Sequence, residues 1–220
     1  MLRREGLLIL WPAFIPLLSL FYSRKSDNLQ IVTRDTWEKE YDYIIVGAGS
    51  AGAVVASRLS EIPSVKVLLL EAGGSENIIS DIPIAYQSLQ QTPMDWSYLT
   101  EPQEAACFGL RERRSRWPRG RVLGGSSVIN ANIYARGNRI DYDNWVKNGA
   151  IGWSWEEVFP YFLKSEDNTD PKIAYNGYHG IGGYLTISTS PWLTPLGVLW
   201  PAAGAFLNYK TLDVNGPIQT

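Results

Sequence analysis

Residues 41–70 contain two short apolar runs separated by a longer segment rich in small side chains. Residues 41–46 favour β-structure, and residues 65–70 are almost wholly apolar, which is typical of a strand buried on both faces of a parallel sheet. Between them, residues 50–62 place small and apolar positions at helical spacing, and Pro63 follows. The pattern predicts a strand, a helix and a second strand, and connection handedness makes the two strands parallel neighbours.

The pattern is weaker further along the chain. Residues 81–120 contain four prolines and no strong periodicity, which predicts a loop-rich segment. One helix is predicted to begin near Asp141, and another at Ser154, where Glu157 completes a possible capping box. Residues 184–188 alternate between apolar and polar positions, as a half-buried strand does.

The first 22 residues are typical of a targeting segment. Arg3 and Arg4 precede an apolar stretch at 7–22, which is shorter than the roughly 20 residues that span a bilayer. This arrangement predicts a signal peptide at residues 1–22, and therefore secretion, with an uncleaved membrane anchor as the alternative. A polar linker at 23–40 then leads into the folded region.

Composition and charge argue against nucleic-acid binding, internal disulfides and metal sites. Hydrophobic residues make up 45% and charged residues 19% of the 220 residues, an ordinary globular balance. The net charge of −2 predicts no general attraction to nucleic acid, and we expect the arginine cluster at 111–121 to be a solvated loop with one or two arginines near a bound phosphate. Cys107 and His179 are the single cysteine and histidine, so no internal disulfide or Cys-based zinc site is possible, and no metal site is predicted.

The turn after the first predicted strand has the glycine spacing of a dinucleotide site. Gly47 permits a tight turn, Gly49 allows close approach of a diphosphate, and Gly52 allows the helix to pack near the strand. Ser50 and Ala51 stand at the helix start, where free amides and the positive end of the helix dipole attract phosphate. This unit therefore predicts a nucleotide-binding site.

A carboxylate follows at the end of the second predicted strand. Glu71 lies about 20 residues beyond the glycine-rich turn, where it can accept hydrogen bonds from ribose hydroxyls. The same charge repels a 2′-phosphate and so disfavours an NADP-type ligand. The unit does not separate FAD from NAD, because both present an ADP half to it.

A second glycine-rich segment spans residues 120–143, GRVLGGSSVINANIYARGNRIDYD. Gly124 and Gly125 let the backbone pass close to a flat or anionic group, and Ser126, Ser127 and Asn130 add polar side chains. On composition alone, a tight loop capped by serine and asparagine is the simpler interpretation.

The order of residues in this segment resembles the first signature of the glucose–methanol–choline (GMC) oxidoreductase family. The matching positions are Gly120, Arg121, Leu123, Gly124, Gly125, Ser126, Ser127, Ile129, Asn130, Tyr134, Gly137 and Asp143. The resemblance extends over residues 41–220 and includes Asp95-Trp96, the Thr-Glu-Pro run at 100–102 and the segment that begins with His179. Within the family, the chain is similar to the animal glucose-dehydrogenase-like branch that uses FAD and quinone.

The resemblance implies an α/β fold, in which a Rossmann-type FAD-binding domain is interleaved with an α+β substrate domain built around an antiparallel sheet. This chain would hold the first of these and the beginning of the second, and would be truncated. The implied activity is oxidation of a CH–OH group of an alcohol or sugar, with hydride transfer to flavin N5 and a quinone or oxygen as electron acceptor.

The same resemblance implies which residues contact FAD. The ADP half would be held by Gly47, Gly49, Ser50, Ala51, Gly52, Glu71 and Ala72. The diphosphate and flavin would be lined by Val122, Gly125, Ser126, Asn130, Ala131, Asn132 and Ile133. Some family members attach FAD covalently through a histidine at the position of Ile129, and isoleucine cannot form that bond, so we expect non-covalent FAD.

The catalytic histidine of the family lies near the end of a chain more than twice as long as this one. No residue here matches it, and His179 is more consistent with a hydrogen-bonded loop histidine than with a catalytic base. We therefore expect an oxidoreductase by family whose FAD-binding part alone has no turnover, with an inactive nucleotide-binding or interaction protein as the alternative. An NAD-dependent dehydrogenase is disfavoured by the second signature and by the absence of another GxGxxG motif in the sequence.

Overall fold

The computed structural model describes residues 36–218, which belong to two compact units divided between Ile133 and Tyr134. The predicted signal or anchor at 1–22 lies outside the described residues, as does the predicted linker up to residue 35. Within 36–218, every helix is too short or too polar to cross a membrane.

The first unit begins with the predicted strand–helix–strand arrangement. Strand β1 spans Tyr43–Val46, helix α1 spans Ser50–Ser60, and strand β2 spans Val67–Leu70. The two strands are parallel neighbours, with Tyr43 opposite Val67. Helix α1 ends two residues before the predicted position, and a turn then leads into Pro63. The predicted elements and their parallel pairing are confirmed.

The prediction that the second strand is buried on both faces is wrong for the described residues. Strand β2 is only partly buried, and on β1 the residue Val46 is 83% exposed. The reason is that β1 and β2 form a two-stranded sheet, and α1 is the helix that packs against it. A strand needs cover on both faces of its sheet to be fully buried.

The remainder of the first unit is loop-rich, as the prolines predict. A 3₁₀ turn at Pro83–Ala85 continues into the short helix α2, Tyr86–Leu89. Strand β3, Tyr98–Leu99, pairs antiparallel with β4, Arg116–Trp117, and a 3₁₀ turn at Arg111–Arg113 lies in the loop between them. Helix α3, Ser126–Ile129, ends the unit, whose buried apolar residues are Ala48, Ala85, Leu89, Val122 and Ile129.

The second unit contains both predicted helices. Helix α4 spans Arg139–Lys147 and begins two residues earlier than Asp141, because Asn138 and Asp141 form a capping box. Helix α5 spans Trp155–Ser165, and its predicted capping box between Ser154 and Glu157 is present. The two helices pack through aromatic rings contributed by Tyr142, Trp155 and Phe162.

Two further strands and one more helix complete the second unit. Strand β5 spans Glu166–Asn168, and β6 spans Leu185–Ile187, inside the predicted segment. These strands are parallel, because the intervening loop returns the chain to the end of the sheet at which β5 begins. The family resemblance implies an antiparallel sheet instead. Helix α6, Pro195–Phe206, is not predicted by the sequence pattern and is capped by Thr194, whose Oγ1 accepts the N–H of Gly197 at 3.0 Å.

Candidate dinucleotide-binding site

Two glycines of the first motif are required by the folding of the chain itself. Gly47 has a φ of 97°, in the left-handed region, and its N–H donates to the carbonyl oxygen of Leu70 at 2.7 Å. A Cβ atom at Gly52 would lie 1.9 Å from the carbonyl oxygen of Gly47. Gly47 therefore shapes the turn, and Gly52 lets α1 approach β1 closely.

Gly49 differs from Gly47 and Gly52, because the fold of the chain does not require glycine at this position. Its φ of −73° is available to any residue, and a Cβ atom there would meet only the Cα of Gly125, at 3.9 Å, which is an ordinary contact. The packing of this unit therefore does not require glycine at 49. Because Gly49 lines a cavity, the space that its missing side chain leaves is available to a ligand.

The start of α1 is suited to an anion. Gly49 is the N-cap residue, no side chain caps the helix, and the first turn contains no acidic residue. The first amides of a helix have no partners within it, and they lie at the positive end of its dipole. Ser50 and Ala51 are exposed at this point. Helix starts of this kind commonly bind phosphate groups.

Glu71 forms structural hydrogen bonds that the sequence does not predict. One carboxylate oxygen accepts the N–H of Ala48 at 2.7 Å, and the other accepts that of Gly73 at 2.8 Å. The carboxylate thereby ties the glycine-rich turn to the end of β2. A carboxylate oxygen has more than one lone pair, so Glu71 retains the capacity to accept bonds from a ribose.

The second signature lies directly beside the first motif. The N–H of Gly124 donates to the carbonyl oxygen of Ala48 at 2.8 Å, and that of Leu123 donates to Gly74 at 2.8 Å. Gly125 has a φ of 62°, and a Cβ atom there would lie 2.8 Å from the Cα of Gly49. Two segments about 75 residues apart in sequence are thus in contact, and both the backbone conformation of Gly125 and its close approach to Gly49 require glycine at 125.

A cavity of about 500 Å³ opens where these segments meet. Its lining contains six of the residues predicted to contact FAD, namely Gly47, Gly49, Glu71, Ala72, Gly125 and Ser126. Trp96 and Gly120 also line it, although the sequence did not single them out as site residues. In the sequence, the Asp95-Trp96 pair stands out only by its family resemblance, and in the fold the pairing of Asp95 with Gly120 brings Trp96 to the cavity.

The other residues predicted to line the diphosphate and flavin do not line this cavity. Val122 is fully buried, so its side chain packs within the unit. Asn130, Ala131, Asn132 and Ile133 are not among the residues that line the cavity, because α3 separates them from Ser126. They form an exposed segment in which Asn130 Oδ1 accepts the N–H of Asn132 at 2.9 Å. A flavin contact by this segment stays a prediction.

Asp95 holds the wall of the cavity in place. Its buried carboxylate accepts backbone N–H groups from Gln91 at 2.8 Å, Ser97 at 3.0 Å and Arg119 at 2.8 Å. Burial by itself would raise the pKa of Asp95, but these three hydrogen bonds together bring the pKa below its ordinary value. Trp96, the next residue, is therefore attached to a firmly held backbone.

The side chain of His179, in the second unit, is almost inaccessible to solvent. Its ring is buried, with Nδ1 at 2.6 Å from Glu166 Oε1 and Nε2 at 2.7 Å from Asp213 Oδ2. Both ring nitrogens are therefore engaged by carboxylates of the chain. The interpretation of His179 as a hydrogen-bonded loop histidine is confirmed.

The carboxylate of Glu166 belongs to a larger buried cluster. Arg136 forms a salt bridge with it, and the side chains of both residues are wholly inaccessible to solvent. The guanidinium lies 5.7 Å from the ring centres of both Phe159 and Phe162. Burial tends to raise the pKa of Glu166, but hydrogen bonds from Asn168 and His179, together with the charge of Arg136, lower it below its ordinary value. The polar side chains of this cluster therefore pair with one another inside the second unit.

The fold and cavity are accompanied by a clear family relationship. The family model described as GMC oxidoreductase matches residues 41–216. The chain belongs to this oxidoreductase family.

Individual relatives extend this finding. The chain is 46% identical over 181 residues to glucose dehydrogenase [FAD, quinone] of Drosophila pseudoobscura pseudoobscura, a match that covers 82% of this chain and 29% of that protein. It is 43% identical over 185 residues to oxygen-dependent choline dehydrogenase of Burkholderia multivorans, covering 81% of this chain and 31% of the relative. Pyridoxine 4-oxidase from Mesorbium loti is similar in structure, with a TM-score of 0.68 and 40% identity over 76% of this chain and 32% of that chain. The chain therefore spans less than a third of the length of these relatives.

Proposed function

We propose that residues 41–220 bind FAD and that the cavity beside Gly49 holds the ADP portion of the cofactor. The observation that supports this most directly is the space left by the missing side chain at Gly49. The packing of the unit does not require glycine there, and Gly49 adjoins an uncapped helix start. A diphosphate fits this combination, because it is anionic and must come close to the backbone.

FAD is favoured over a nicotinamide dinucleotide by the second signature. Gly125 and Ser126 line the same cavity as Gly49 and Glu71, so both sequence motifs contribute to one site. A nicotinamide site of this type needs only the first motif. The glucose dehydrogenase relative is also named for FAD, which agrees with this assignment.

The proposed attachment of FAD is non-covalent. Ile129, at the position where some family members carry a linking histidine, is buried in the first unit. Its side chain has no nucleophilic atom with which to form a bond to the cofactor. Acid denaturation should therefore release the flavin into solution.

The proposed reaction class is the oxidation of a CH–OH group of an alcohol or sugar. FAD, when bound, supplies the hydride acceptor at N5, and either a quinone or oxygen is the final acceptor. The described residues would bind and orient the cofactor: Gly49 and the start of α1 at the diphosphate, Glu71 at a ribose, and Ser126, from the second signature, at the diphosphate or flavin. One relative is named for quinone and another for oxygen, so the proposal includes both acceptors.

A second candidate function is FAD binding without turnover by this chain alone. His179 is the single histidine in the 220 residues, and both of its ring nitrogens contact carboxylates. It is therefore not available as a general base. This observation favours a chain that holds the cofactor but does not oxidise alcohols by itself.

The N-terminal segment carries a separate proposal. We infer secretion from the basic start and short apolar run at residues 1–22, with a membrane anchor as the alternative. Sequencing the N-terminus of the protein recovered from culture medium distinguishes a cleaved segment from a retained one.

Cofactor binding is tested with the purified 220-residue chain. After incubation with FAD and removal of free ligand, we expect a bound flavin absorbance spectrum, and acid precipitation should leave the flavin in the supernatant. Gly49→Ala should fold like the wild type but bind FAD at least about tenfold more weakly, because its methyl group enters the space proposed for the diphosphate. A wild-type chain that takes up no FAD would contradict the proposal, and measurable alcohol oxidation with a dye acceptor would contradict the second candidate function.

A further inference from the structure

Asparagine is followed directly by glycine at three places in the second unit, namely at residues 148–149, 176–177 and 215–216. Glycine has no side chain to shield its amide nitrogen, and its backbone turns freely, so that nitrogen can reach the carboxamide before it. The fold places the three asparagines in different surroundings. We propose that Asn176 is a modification site, at which the chain deamidates without an enzyme, through a succinimide, to aspartate and isoaspartate.

The proposed reaction joins two groups of the chain itself. The amide nitrogen of Gly177 loses its proton to hydroxide and attacks Cγ of Asn176, so that a C–N bond forms. The carboxamide nitrogen takes a proton from water and leaves as ammonia. Water then opens the cyclic imide at either of its two carbonyl carbons. One opening gives aspartate, and the other gives isoaspartate, in which the main chain runs through the former side chain.

The attacking nitrogen of Gly177 has no hydrogen-bond acceptor among the residues that the structure describes. The other two glycine nitrogens are engaged. The N–H of Gly149 donates to the carbonyl oxygen of Val146 at 2.9 Å, and that of Gly216 donates to the carbonyl oxygen of Asp213 at 3.0 Å. Each of these hydrogen bonds must break before the nitrogen can turn toward its asparagine. Attack is therefore easiest at Gly177.

The carboxamide of Asn176 is held in an arrangement that favours attack. Its Oδ1 accepts the N–H of Tyr178 at 2.8 Å, and the ring closed by this hydrogen bond contains the nitrogen of Gly177. The side chain is thus folded back over the peptide unit that must attack it. A donor on a carbonyl oxygen also stabilises the negative charge that develops there when a nucleophile adds to the carbon. The N–H of Tyr178 supplies such a donor.

The surroundings of Asn176 leave room for the imide to form. Asn176 and Gly177 are both exposed, and a Cβ atom added at Gly177 would meet nothing within 4 Å. Asn148 is exposed as well, but it is the C-cap residue of α4. Asn215 is only 6% exposed, and its carboxamide forms hydrogen bonds to backbone groups at 2.9 and 3.0 Å. We therefore expect Asn176 to react first, Asn148 next and Asn215 last.

The modification would alter the chain directly before the buried cluster of the second unit. Tyr178 follows the proposed site, and its carbonyl oxygen accepts a hydrogen bond from the guanidinium of Arg136. Aspartate at 176 keeps an oxygen that can accept the N–H of Tyr178. Isoaspartate instead lengthens the main chain by a methylene group, so we expect this turn to open in the isoaspartate form.

The test follows deamidation of the full 220-residue chain at mildly alkaline pH, without cofactor. Trypsin leaves each asparagine in a peptide of its own, at 148–164, 173–210 and 211–220, and mass spectrometry measures the conversion of amide to acid in each. Asn176 should convert at least about fivefold faster than Asn148, the factor that corresponds to breaking one backbone hydrogen bond, and Asn215 should convert slowest. A parallel incubation in concentrated urea is the matched control, because unfolding removes the structural differences and should make the three rates similar.

Three outcomes would overturn the proposal. One is a folded chain in which Asn148 or Asn215 converts as fast as Asn176, or a ratio of rates that is the same in urea, since the fold would then not select the site. Another is aspartate without isoaspartate at 176, because direct hydrolysis of the carboxamide gives aspartate alone. The third concerns Asn176→Ser, which keeps an acceptor for the N–H of Tyr178 but has no carboxamide. Unchanged conversion in its 173–210 peptide would place the modification at another residue.

Discussion

Replacing Arg136 with methionine tests how strongly the buried ion pair stabilises the chain. Arg136 and Glu166 have fully buried side chains, so the substitution leaves a carboxylate in the interior without its neutralising cation. Removal of one partner from a buried pair costs about 3–5 kcal/mol. Because Asn168 and His179 still contact Glu166, we expect a loss near the lower limit, about 3 kcal/mol. Methionine occupies much of the space beside Phe159 and Phe162, which limits the contribution of a cavity.

The same substitution predicts a particular pH dependence. In the folded chain, the pKa of Glu166 lies below its ordinary value of 4.5, so its ionisation stabilises the fold above pH 4.5, and this contribution is lost as pH falls through the folded pKa. Without Arg136, the folded pKa should rise, because the charge that favours the carboxylate is absent. The difference in free energy of unfolding between wild type and variant should therefore be largest near neutral pH and should narrow in acid.

Urea unfolding of the 220-residue chain, followed by near-ultraviolet circular dichroism at neutral and acidic pH, measures both effects. Arg139→Met is the matched control, because Arg139 is 58% exposed and pairs with Asp143 at 3.5 Å and Glu156 at 3.1 Å. Exposed pairs contribute little, so this control should lose no more than about 1 kcal/mol. Equal losses in the two variants, or a difference that does not narrow in acid, would refute the reasoning.

Three further substitutions test other parts of the structure. Gly52→Ala should destabilise the chain by about 3 kcal/mol or more, because the added Cβ would lie 1.9 Å from the Gly47 carbonyl oxygen, and thermal denaturation measures the loss. Ser154→Ala should cost about 1 kcal/mol, since the hydroxyl caps α5, and an unchanged midpoint in urea would contradict this. Asp95→Asn should cost about 1–3 kcal/mol, because an amide places a donor against one of the backbone N–H groups that the carboxylate accepts; unaltered stability would show that those hydrogen bonds contribute little.

Local sequence patterns predicted the helices, strands and caps whose structure is determined by neighbouring residues. The glycine spacing and the two apolar runs around it define β1, α1 and β2, because all three elements lie within about 30 residues and each has its own pattern in the sequence. The capping box at Ser154 is equally local, and it was located correctly. Six of the predicted contact residues also line one cavity, since both motifs have glycines at their points of contact.

Features that depend on distant residues were not predictable. Trp96 reaches the cavity only because Asp95 pairs with Gly120, a contact that has no local signal. Arg136 is buried although arginine is usually exposed, because Glu166 and two phenylalanine rings surround it in the fold. Helix α6 contains an internal proline, Pro201, so its sequence carries a signal against helix as well as for it.

The glycines of the first motif carry different amounts of information about a ligand. Gly47 and Gly52 satisfy demands of the backbone and of helix packing, so a protein with no ligand would need them equally. Gly49 satisfies no such demand, because its φ is ordinary and a Cβ atom would fit against Gly125. Gly49 and the uncapped helix start that it precedes are therefore the features that most favour a dinucleotide. A substitution that preserves folding but removes binding at this position separates a site for a ligand from a turn that merely requires glycine.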